Sequence, residues 1–502
     1  MLLTIEEKIS EGEERFEKLR RTAGVYLAPA LFIFLLLLPF EGLTPQAHRL
    51  LAIVGLVVVL WITEAIPIPL SALLGAALCV VLGVDEEKKV LSSFANPIIF
   101  LFMGSFMIAR AMRIHGLDQR IAYYILSRKS LGRSDFGILL GVASLSFFVS
   151  MWISNTATAA MVFPITLGII SSLSETQSGS KNWAGFRTAL MLIVAYAASI
   201  GGIATPVGTP PNLIGLGMIE SILGKEISFF RWMLLALPLA LVTLLLLLFY
   251  FRFMFKIGVQ YQDSRPAVKT DQPGKWTRGQ KNTLVAFLTA VALWIVPGII
   301  AIFTGTSSEF YQAFNSHIPE AVAALIGASL LFILPVDWKR REFTLSWEQA
   351  VRIDWGTILL FGGGLTLGGL MFSTGLAGKI GSWVLFLTGV ASLWGITLVA
   401  IALSVFISET TSNTASASMV VPVMIAVSES AGVSPLPPAL GATLGASFGF
   451  MLPVSTPPNA IVYSSGLVPI TKMIKAGILL DLMGIVVIWF GLRLLCPMMG
   501  LL

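Results

Sequence analysis

Long hydrophobic runs dominate the chain and predict membrane-spanning helices. A helix needs about 20 mostly apolar residues to cross the hydrocarbon core of a bilayer. We predict eleven spans, near residues 26–41, 48–67, 70–84, 96–114, 190–215, 229–251, 282–302, 319–335, 355–376, 439–464 and 474–496. Two further apolar stretches, 136–170 and 391–426, carry a polar cluster near their middle. We expect each of these two stretches to form a re-entrant hairpin.

The composition agrees with a lipid-embedded protein. Hydrophobic residues make up 56% of the 502 residues and charged residues only 12%, whereas soluble domains carry about 25% charged residues. The net charge of +6 does not indicate nucleic-acid binding, because Lys and Arg cluster between the hydrophobic runs and form no continuous basic stripe. Cys79 and Cys496 both lie in apolar runs and suggest no disulfide framework.

Basic residues in the loops predict the orientation of the chain. Cytoplasmic loops of membrane proteins carry an excess of Lys and Arg. A cytoplasmic N-terminus and an outside C-terminus fit this rule best, in a multi-pass protein of the inner (plasma) membrane. The basic residues that we then place inside include Lys18, Arg20, Arg21, Arg128, Lys129, Arg133, Arg265, Lys269, Lys275, Arg278, Lys281, Lys339, Arg340, Arg341, Lys472 and Lys475. Lys88 and Lys89 disagree, although acidic residues at 85–87 lie beside them.

The two halves of the chain are repeats. Residues 102–117 align with 361–376, Ser-Asn-Thr-Ala recurs at 154–157 and 412–415, and the Pro-Pro motif at 205–212 recurs at 452–459. Five predicted spans separate equivalent positions, so the second copy should be inverted in the membrane. Inverted repeats are typical of secondary transporters, whose binding sites lie near the bilayer midplane.

The repeated motifs contain groups that favour a polar site inside the membrane. Pro-Pro interrupts a helix and frees backbone carbonyls, which persist in a membrane only where they line a cavity or meet a partner. A kinked structural helix would explain one such break, but two matching breaks favour a site. A single Ser-Asn-Thr triplet is usually an interhelical contact. At a hairpin tip, however, it can cap a helix whose N-terminus attracts an anion, and its remaining oxygens suit a desolvated monovalent cation.

Neither motif contains Lys or Arg, and this absence predicts cation coupling. Burying an unpaired carboxylate is very costly, so bound cations would have to supply the positive charge that an anionic substrate needs. Glu409, beside the second cluster, is either a cation ligand or a carboxylate that caps a helix or packs in the hairpin. The residues do not decide between these two roles.

Paired Ser-Asn-Thr tips, each followed by a helix broken at Thr-Pro-Pro-Asn, resemble the divalent anion/sodium symporter family over nearly the whole chain. The resemblance implies an all-α polytopic fold of about eleven transmembrane helices, in two inverted repeats with two re-entrant hairpins and two broken helices. It also implies a homodimer formed by a scaffold, against which a transport domain moves as an elevator. The expected division is an N-terminal amphipathic cytoplasmic helix at 1–25, scaffold at 26–133 and 282–390, transport domain at 134–253 and 391–502, and a cytoplasmic linker at 254–281.

The resemblance also implies site residues. The first sodium site maps to Ser150, Ser154, Asn155 and Gly208, and the second to Ser408, Thr411, Asn413 and Ser455. Thr411 and Ser455 stand at positions that contribute mainly backbone carbonyls. The substrate would meet Asn155, Thr156, Ser412, Asn413 and Thr414, with Thr209, Thr456 and Pro457 at the edges.

These observations predict a transporter, with no enzymatic activity and no nucleic-acid partner. Its expected cargo is a C4-dicarboxylate such as succinate, malate or fumarate, with sodium as a co-transported ion and not as a prosthetic group. Sulfate or citrate transport and sodium-independent exchange remain alternatives. An intramembrane hydrolase would need a base at membrane depth, and no histidine lies near either cluster. A channel would not explain hairpins in inverted copies.

Overall fold

The computed structural model describes residues 11–128, 131, 134–177, 182–258, 274–305 and 307–502. Residues 1–10 of the predicted N-terminal helix and residues 259–273 of the predicted linker lie outside this part of the chain. So do four of the basic residues used for orientation, Lys129, Arg133, Arg265 and Lys269.

Helices account for nearly all the regular structure of the described residues. The first half contains α1 (Glu11–Leu37), α2 (Pro45–Thr63), α3 (Ile68–Val81), α4 (Glu87–Ser92), α5 (Pro97–Ile114), α6 (Leu117–Leu126), α7 (Asp135–Ser150), α8 (Asn155–Gln177), α9 (Trp183–Gly202), α10 (Pro210–Leu223) and α11 (Phe229–Met254), with a 3-10 turn at Ser93–Ala95. The second half contains α12 (Arg278–Thr304), α13 (Glu309–His317), α14 (Glu320–Ile333), α15 (Trp347–Ala350), α16 (Trp355–Ser373), α17 (Leu376–Thr388), α18 (Leu393–Thr410), α19 (Asn413–Ser430), α20 (Leu436–Gly445), α21 (Pro457–Tyr463) and α22 (Ile470–Met498). A two-stranded antiparallel ribbon, β1 (Pro335–Asp337) with β2 (Glu342–Phe343), adds a small exception to the all-helical prediction.

The predicted number of membrane helices is confirmed, although some of the helices counted are not the ones predicted. Among the described residues, ten helices are long and apolar enough to cross a bilayer, or eleven when α13 and α14, bent by 57°, count as one span. Two of the ten are hairpin arms, the part of α8 at Asn155–Ser174 and the whole of α18. By contrast, α3 has only 14 residues, and the predicted span 439–464 is divided between α20 and α21.

The N-terminal segment and the first span form one helix. α1 continues from Glu11 to Leu37 without a boundary at residue 26, because its charged start consists of residues that favour helices. Arg20 in this helix pairs with Glu17 at 3.1 Å and with Glu64, the residue after α2, also at 3.1 Å. The predicted amphipathic segment is therefore the start of α1 and not a separate element.

Both hairpins and both helix breaks are confirmed. α7 and α8 are joined by a turn at 151–154, and α18 and α19 by a turn at 411–412. α9 ends at Gly202 and the chain becomes helical again at Pro210, while α20 ends at Gly445 and helix resumes at Pro457. Proline is well suited to a helix start because the first turn leaves its backbone N–H groups without helical partners.

The repeat is visible in the backbone as well as in the amino acids. Gly116 and Gly375 precede α6 and α17, with left-handed φ of +64° and +80°. Ser134 and Ser392 cap α7 and α18, and each hydroxyl oxygen accepts a hydrogen bond from the N–H three residues later, at 3.0 and 3.3 Å. The two halves therefore begin their hairpins with the same local structure.

Lys89, one of the two residues that disagree with the predicted orientation, is paired with Asp85. The hydrogen bond from Lys89 lowers the pKa of the Asp85 carboxyl. The positive charge of Lys89 is thus compensated locally, which weakens its conflict with the orientation rule.

The packing divides the chain into two compact units. One contains Met1–Ala95, Gly217–Lys225 and Leu359–Leu502, and the other contains Asn96–Leu216 and Glu226–Ile358. In the first unit α18 packs on α20 and α22, and in the second unit α7 packs on α9. Each hairpin therefore lies against the broken helix of its own repeat. The predicted scaffold and transport domains concern which parts move together, and that division stays a prediction.

Candidate functional site

The first hairpin turns at a hydrogen bond between two of its predicted site residues. Ser150, fully buried at the end of α7, donates from Oγ to Oδ1 of Asn155 at 2.7 Å. Ser154 precedes α8, and its Oγ accepts the N–H of Ala157 at 3.4 Å. Because Asn155 Oδ1 is held towards Ser150, its amide NH₂ faces away from that bond and can donate elsewhere. Thr156 is exposed at the edge of the turn.

Two glycines bring backbone oxygens to the first turn. A Cβ added at Gly202 would lie 2.2 Å from Asn155 Oδ1, and one added at Gly208 would lie 2.5 Å from the Gly202 carbonyl oxygen and 2.9 Å from that of Ser150. Only glycine permits these approaches. Uncharged oxygens of Ser150, Asn155 and Gly202 therefore converge around Gly208. Hard cations bind such oxygen ligands, so the residues present fit a sodium ion.

The second hairpin repeats the same hydrogen bond. Ser408, at the end of α18, donates from Oγ to Oδ1 of Asn413 at 2.7 Å. The Oγ of Ser412 caps α19 by accepting the N–H of Ala415 at 3.2 Å. Thr411 donates its hydroxyl to the Ile407 carbonyl at 2.9 Å, and its own backbone carbonyl is a further oxygen that a cation could bind.

The second site also contains a carboxylate. Ser455 donates from Oγ to Glu409 Oε2 at 2.6 Å, and the Met451 N–H donates to Glu409 Oε1 at 2.8 Å. Glu409 is only 1% exposed. The side chain of Glu409 thus connects the end of α18 to the broken segment, as the packing alternative expected. The Ser455 hydroxyl donates to Glu409, and its backbone carbonyl, like that of Thr411, is a further oxygen that a cation could bind.

Two asparagines outside the predicted site hold the helix breaks together. Asn212 Nδ2 donates to the carbonyls of Gly202 at 3.1 Å and Thr205 at 2.8 Å. Asn459 Nδ2 donates to the carbonyls of Gly449 and Leu452, both at 3.0 Å, which are the equivalent positions of the other repeat. The signal was present in the sequence, since these residues end the repeated Thr-Pro-Pro-Asn.

The predicted substrate residues lie at the start of helices. Thr456 precedes α21, and its side chain accepts the N–H of Asn459 at 3.4 Å. Thr209 and Thr456 are buried, whereas Ser412, Asn413 and Thr414 are half-buried and Pro457 is exposed. Within each repeat the structure therefore collects hydroxyl and amide groups beside helix N-termini, where backbone N–H groups favour an anion.

One basic residue that the motifs do not include reaches the second turn. The Arg20 guanidinium lies 3.4 Å from the Thr410 carbonyl oxygen. Its charge is already paired with Glu17 and Glu64. The absence of Lys and Arg from the motifs therefore does not mean that the second hairpin lacks a basic neighbour, and the sequence did not reveal this contact.

A cavity of about 780 Å³ lies beside the first hairpin, within the unit that contains it. Its walls include Ala157 and Met161 of α8, just after Asn155, and the basic residues Arg113, Arg120 and Lys275. Asp118 also lines it, and burial raises the pKa of this carboxyl. Basic groups therefore outnumber acidic groups in the walls, which favours entry of anions. Sequence reasoning missed this cavity because α5, α6 and the segment before α12 meet only in the fold.

Comparison with known sequences identifies the family of the chain. Residues 20–501 match the family described as the sodium:sulfate symporter transmembrane region. A protein named sodium-dependent dicarboxylate transporter SdcS, from Staphylococcus saprophyticus, is 35% identical, with 97% of this chain and 94% of that protein covered. The protein of the same name from Staphylococcus aureus is 33% identical, with 93% and 89% covered. An uncharacterized transporter of Haemophilus influenzae is 35% identical, with 91% and 93% covered.

A solved structure shares the fold. The YdaH transporter of Alcanivorax borkumensis, described as having an unusual topology, superposes with a TM-score of 0.53 over 94% of this chain and 97% of that chain. The two sequences are 14% identical, so the likeness concerns the architecture alone.

Proposed function

Because the chain belongs to the sodium:sulfate symporter family, also called the divalent anion/sodium symporters, we propose that it carries C4-dicarboxylates such as succinate, malate and fumarate together with sodium. The relatives named sodium-dependent dicarboxylate transporters, at 33–35% identity over most of the chain, support this cargo over sulfate or citrate. The observation that carries the proposal is the Ser–Asn hydrogen bond of 2.7 Å that recurs in both hairpins.

This hydrogen bond couples the cation to the substrate. Each asparagine directs Oδ1 towards the oxygens proposed to bind sodium and leaves its NH₂ free to donate to a carboxylate. A bound sodium ion would fix Asn155 or Asn413 in this orientation and would supply positive charge close to the anion. Without sodium, the dianion would meet neutral donors at the first hairpin and the carboxyl group of Glu409 close to the second, and its desolvation would not be compensated. We therefore assign the first sodium site to Ser150, Ser154, Asn155 and Gly208, and the second to Ser408, Thr411, Asn413 and Ser455.

The cavity beside the first hairpin fits the approach of such a substrate. Arg113 is exposed in its wall, whereas Arg120 is buried and lies 4.6 Å from the centre of the Trp276 ring. We assign to Arg113 an electrostatic role in attracting the dianion and to Arg120 a mainly structural one.

Uptake of labelled succinate and sulfate into proteoliposomes, with and without an inward sodium gradient, tests the proposed function. We expect sodium-dependent succinate uptake and no measurable succinate binding in sodium-free choline buffer. Tight binding in choline buffer would overturn symport in favour of exchange. Uptake of sulfate but not succinate would overturn the assigned cargo.

We further propose that transport proceeds by an elevator movement in a homodimer, with 134–253 and 391–502 moving against 26–133 and 282–390. A cysteine at Ser172, exposed in the predicted transport domain, should change its reactivity with a membrane-impermeant thiol reagent when sodium and succinate are added. A cysteine at Ser382, exposed in the predicted scaffold, should not. Equal responses at both positions would contradict this division.

A further inference from the structure

A second buried carboxyl group, which no motif predicts, lies beside Glu409. Asp481 on α22 is 4% exposed, and neither of its carboxylate oxygens has a hydrogen-bond partner among the described residues. The side chain of Glu409 and the backbone N–H of Phe450 both face this carboxyl group.

α22 can place Asp481 there because a glycine precedes it by one turn. A Cβ added at Gly477 would lie 2.4 Å from the Phe450 carbonyl oxygen and 2.5 Å from the Met451 backbone nitrogen. The helix therefore touches the broken segment directly, at the residue whose N–H binds Glu409. This contact brings the Asp481 carboxyl against Glu409 and not towards lipid.

The pair lacks a balancing charge. A buried carboxylate without partners is costly, and a second carboxylate beside it adds like-charge repulsion. Glu409 already accepts hydrogen bonds from Ser455 and Met451. A proton shared by the pair would neutralise only one of the two carboxylates, and the backbone N–H of Phe450, which also faces Asp481, carries no net charge. A cation held by both oxygens would satisfy the whole carboxylate.

We propose that Asp481, together with Glu409, binds a sodium ion at a site separate from the two assigned to the hairpins. This cation and the one assigned to Ser408, Thr411, Asn413 and Ser455 together balance the two negative charges of the carboxyl pair. Ser455 joins the two positions, because its hydroxyl binds Glu409 while its carbonyl belongs to the hairpin site. The coupling of this ion to transport rests on the proposed function, whereas its binding does not.

The test compares Asp481→Asn with the wild-type chain in two measurements. The first is the sodium dependence of thermal stability of the purified full-length protein without substrate, with choline replacing sodium. The second is the number of sodium ions moved per succinate, from the reversal potential of uptake in proteoliposomes. Loss of the anionic ligand should raise the sodium concentration for half-maximal stabilisation about tenfold, and should lower the coupling ratio by one sodium ion. The matched control is Asp135→Asn, because Asp135 is also 4% exposed and lies outside all assigned sites; it should keep the wild-type sodium dependence.

The outcomes separate the alternatives. If the thermal stability of Asp481→Asn depends on sodium as in the wild type, the proposal is overturned. If, in addition, its thermal stability depends differently on pH, the carboxyl pair shares a proton and binds no sodium ion. If Asp481→Asn does not fold, Glu409→Gln must show the same weakened sodium dependence, and a wild-type response there would equally overturn the site. A wild-type protein that is stabilised by sodium but does not carry succinate would refute the proposed cargo, while the stability measurement would still decide the sodium site.

Discussion

The two hairpins share one framework but differ in charge. Each has a Ser–Asn hydrogen bond of 2.7 Å and an asparagine that binds two carbonyls of the following break. At the residue after the serine, the first hairpin has Met151 and the second has Glu409. The Met151 carbonyl accepts the hydroxyl of Thr205, and the Glu409 carbonyl accepts that of Ser455 at 3.0 Å.

This difference shows that the framework does not depend on charge. A hydroxyl donates to the same carbonyl in both repeats, so the first hairpin forms this contact with no carboxylate at that position. The first hairpin presents neutral oxygens, whereas the second adds the carboxyl group of Glu409, which in the proposed function would need a cation. We therefore expect the two halves to contribute unequally to sodium dependence, and the following variants test how unequally.

The largest effect is expected where the two hairpins are alike. Asn155→Ala and Asn413→Ala each remove a proposed cation ligand and a proposed substrate donor, and the loss of both contacts should reduce succinate uptake roughly 100-fold or more. Initial uptake rates in proteoliposomes measure this. The control is Asn182→Ala, which removes an exposed asparagine and should retain uptake. Near-normal uptake in either site variant would mean that the symmetry of the hairpins is not functional.

The second prediction compares two glycines that lie at equivalent positions of the two repeats. A Cβ at Gly202 would lie 2.2 Å from Asn155 Oδ1, but one at the equivalent Gly449 would lie 3.2 Å from Ser408 Oγ. Gly202→Ala should therefore displace Asn155 and lower uptake about tenfold or more, while Gly449→Ala should stay within about twofold of the wild-type rate. Equal losses would show that the second turn is packed as tightly as the first.

A third comparison addresses the residue that differs. Glu409→Gln should raise the sodium concentration for half-maximal uptake about tenfold, because an anionic group is lost near the second site. Met151→Leu, at the equivalent position, conserves volume and polarity and should leave that concentration unchanged. Sodium titrations of initial uptake rates check both variants. An equal shift in the two would contradict the difference in charge.

The smallest effect concerns the cavity beside the first hairpin. Arg113→Gln should lower succinate uptake about two- to threefold at low ionic strength, and the difference should vanish at high salt because screening removes electrostatic steering. The measurement is initial uptake over a range of choline chloride concentrations at constant sodium. The same loss at every ionic strength would show that Arg113 acts through packing.

The sequence alone determined the features that depend on neighbouring residues. Apolar runs predicted the membrane spans, and Pro-Pro predicted the breaks that follow α9 and α20. The repeated sequence motifs predicted that Ser150 and Ser408 would have equivalent surroundings. These predictions succeed because hydrophobic length and the missing N–H of proline act locally. Boundaries were less certain, since nothing local marks whether the charged start of α1 continues into the first span.

The tertiary structure decided which distant groups meet. Asn212 and Asn459 reach carbonyl oxygens at the start of each helix break because the chain returns towards that point after the break. Asp481 reaches Glu409 because Gly477 lets α22 touch the broken segment. In the sequence, Asp481 is one acidic residue in a long apolar run. Its burial beside another carboxyl group depends on helix packing, which no local pattern encodes.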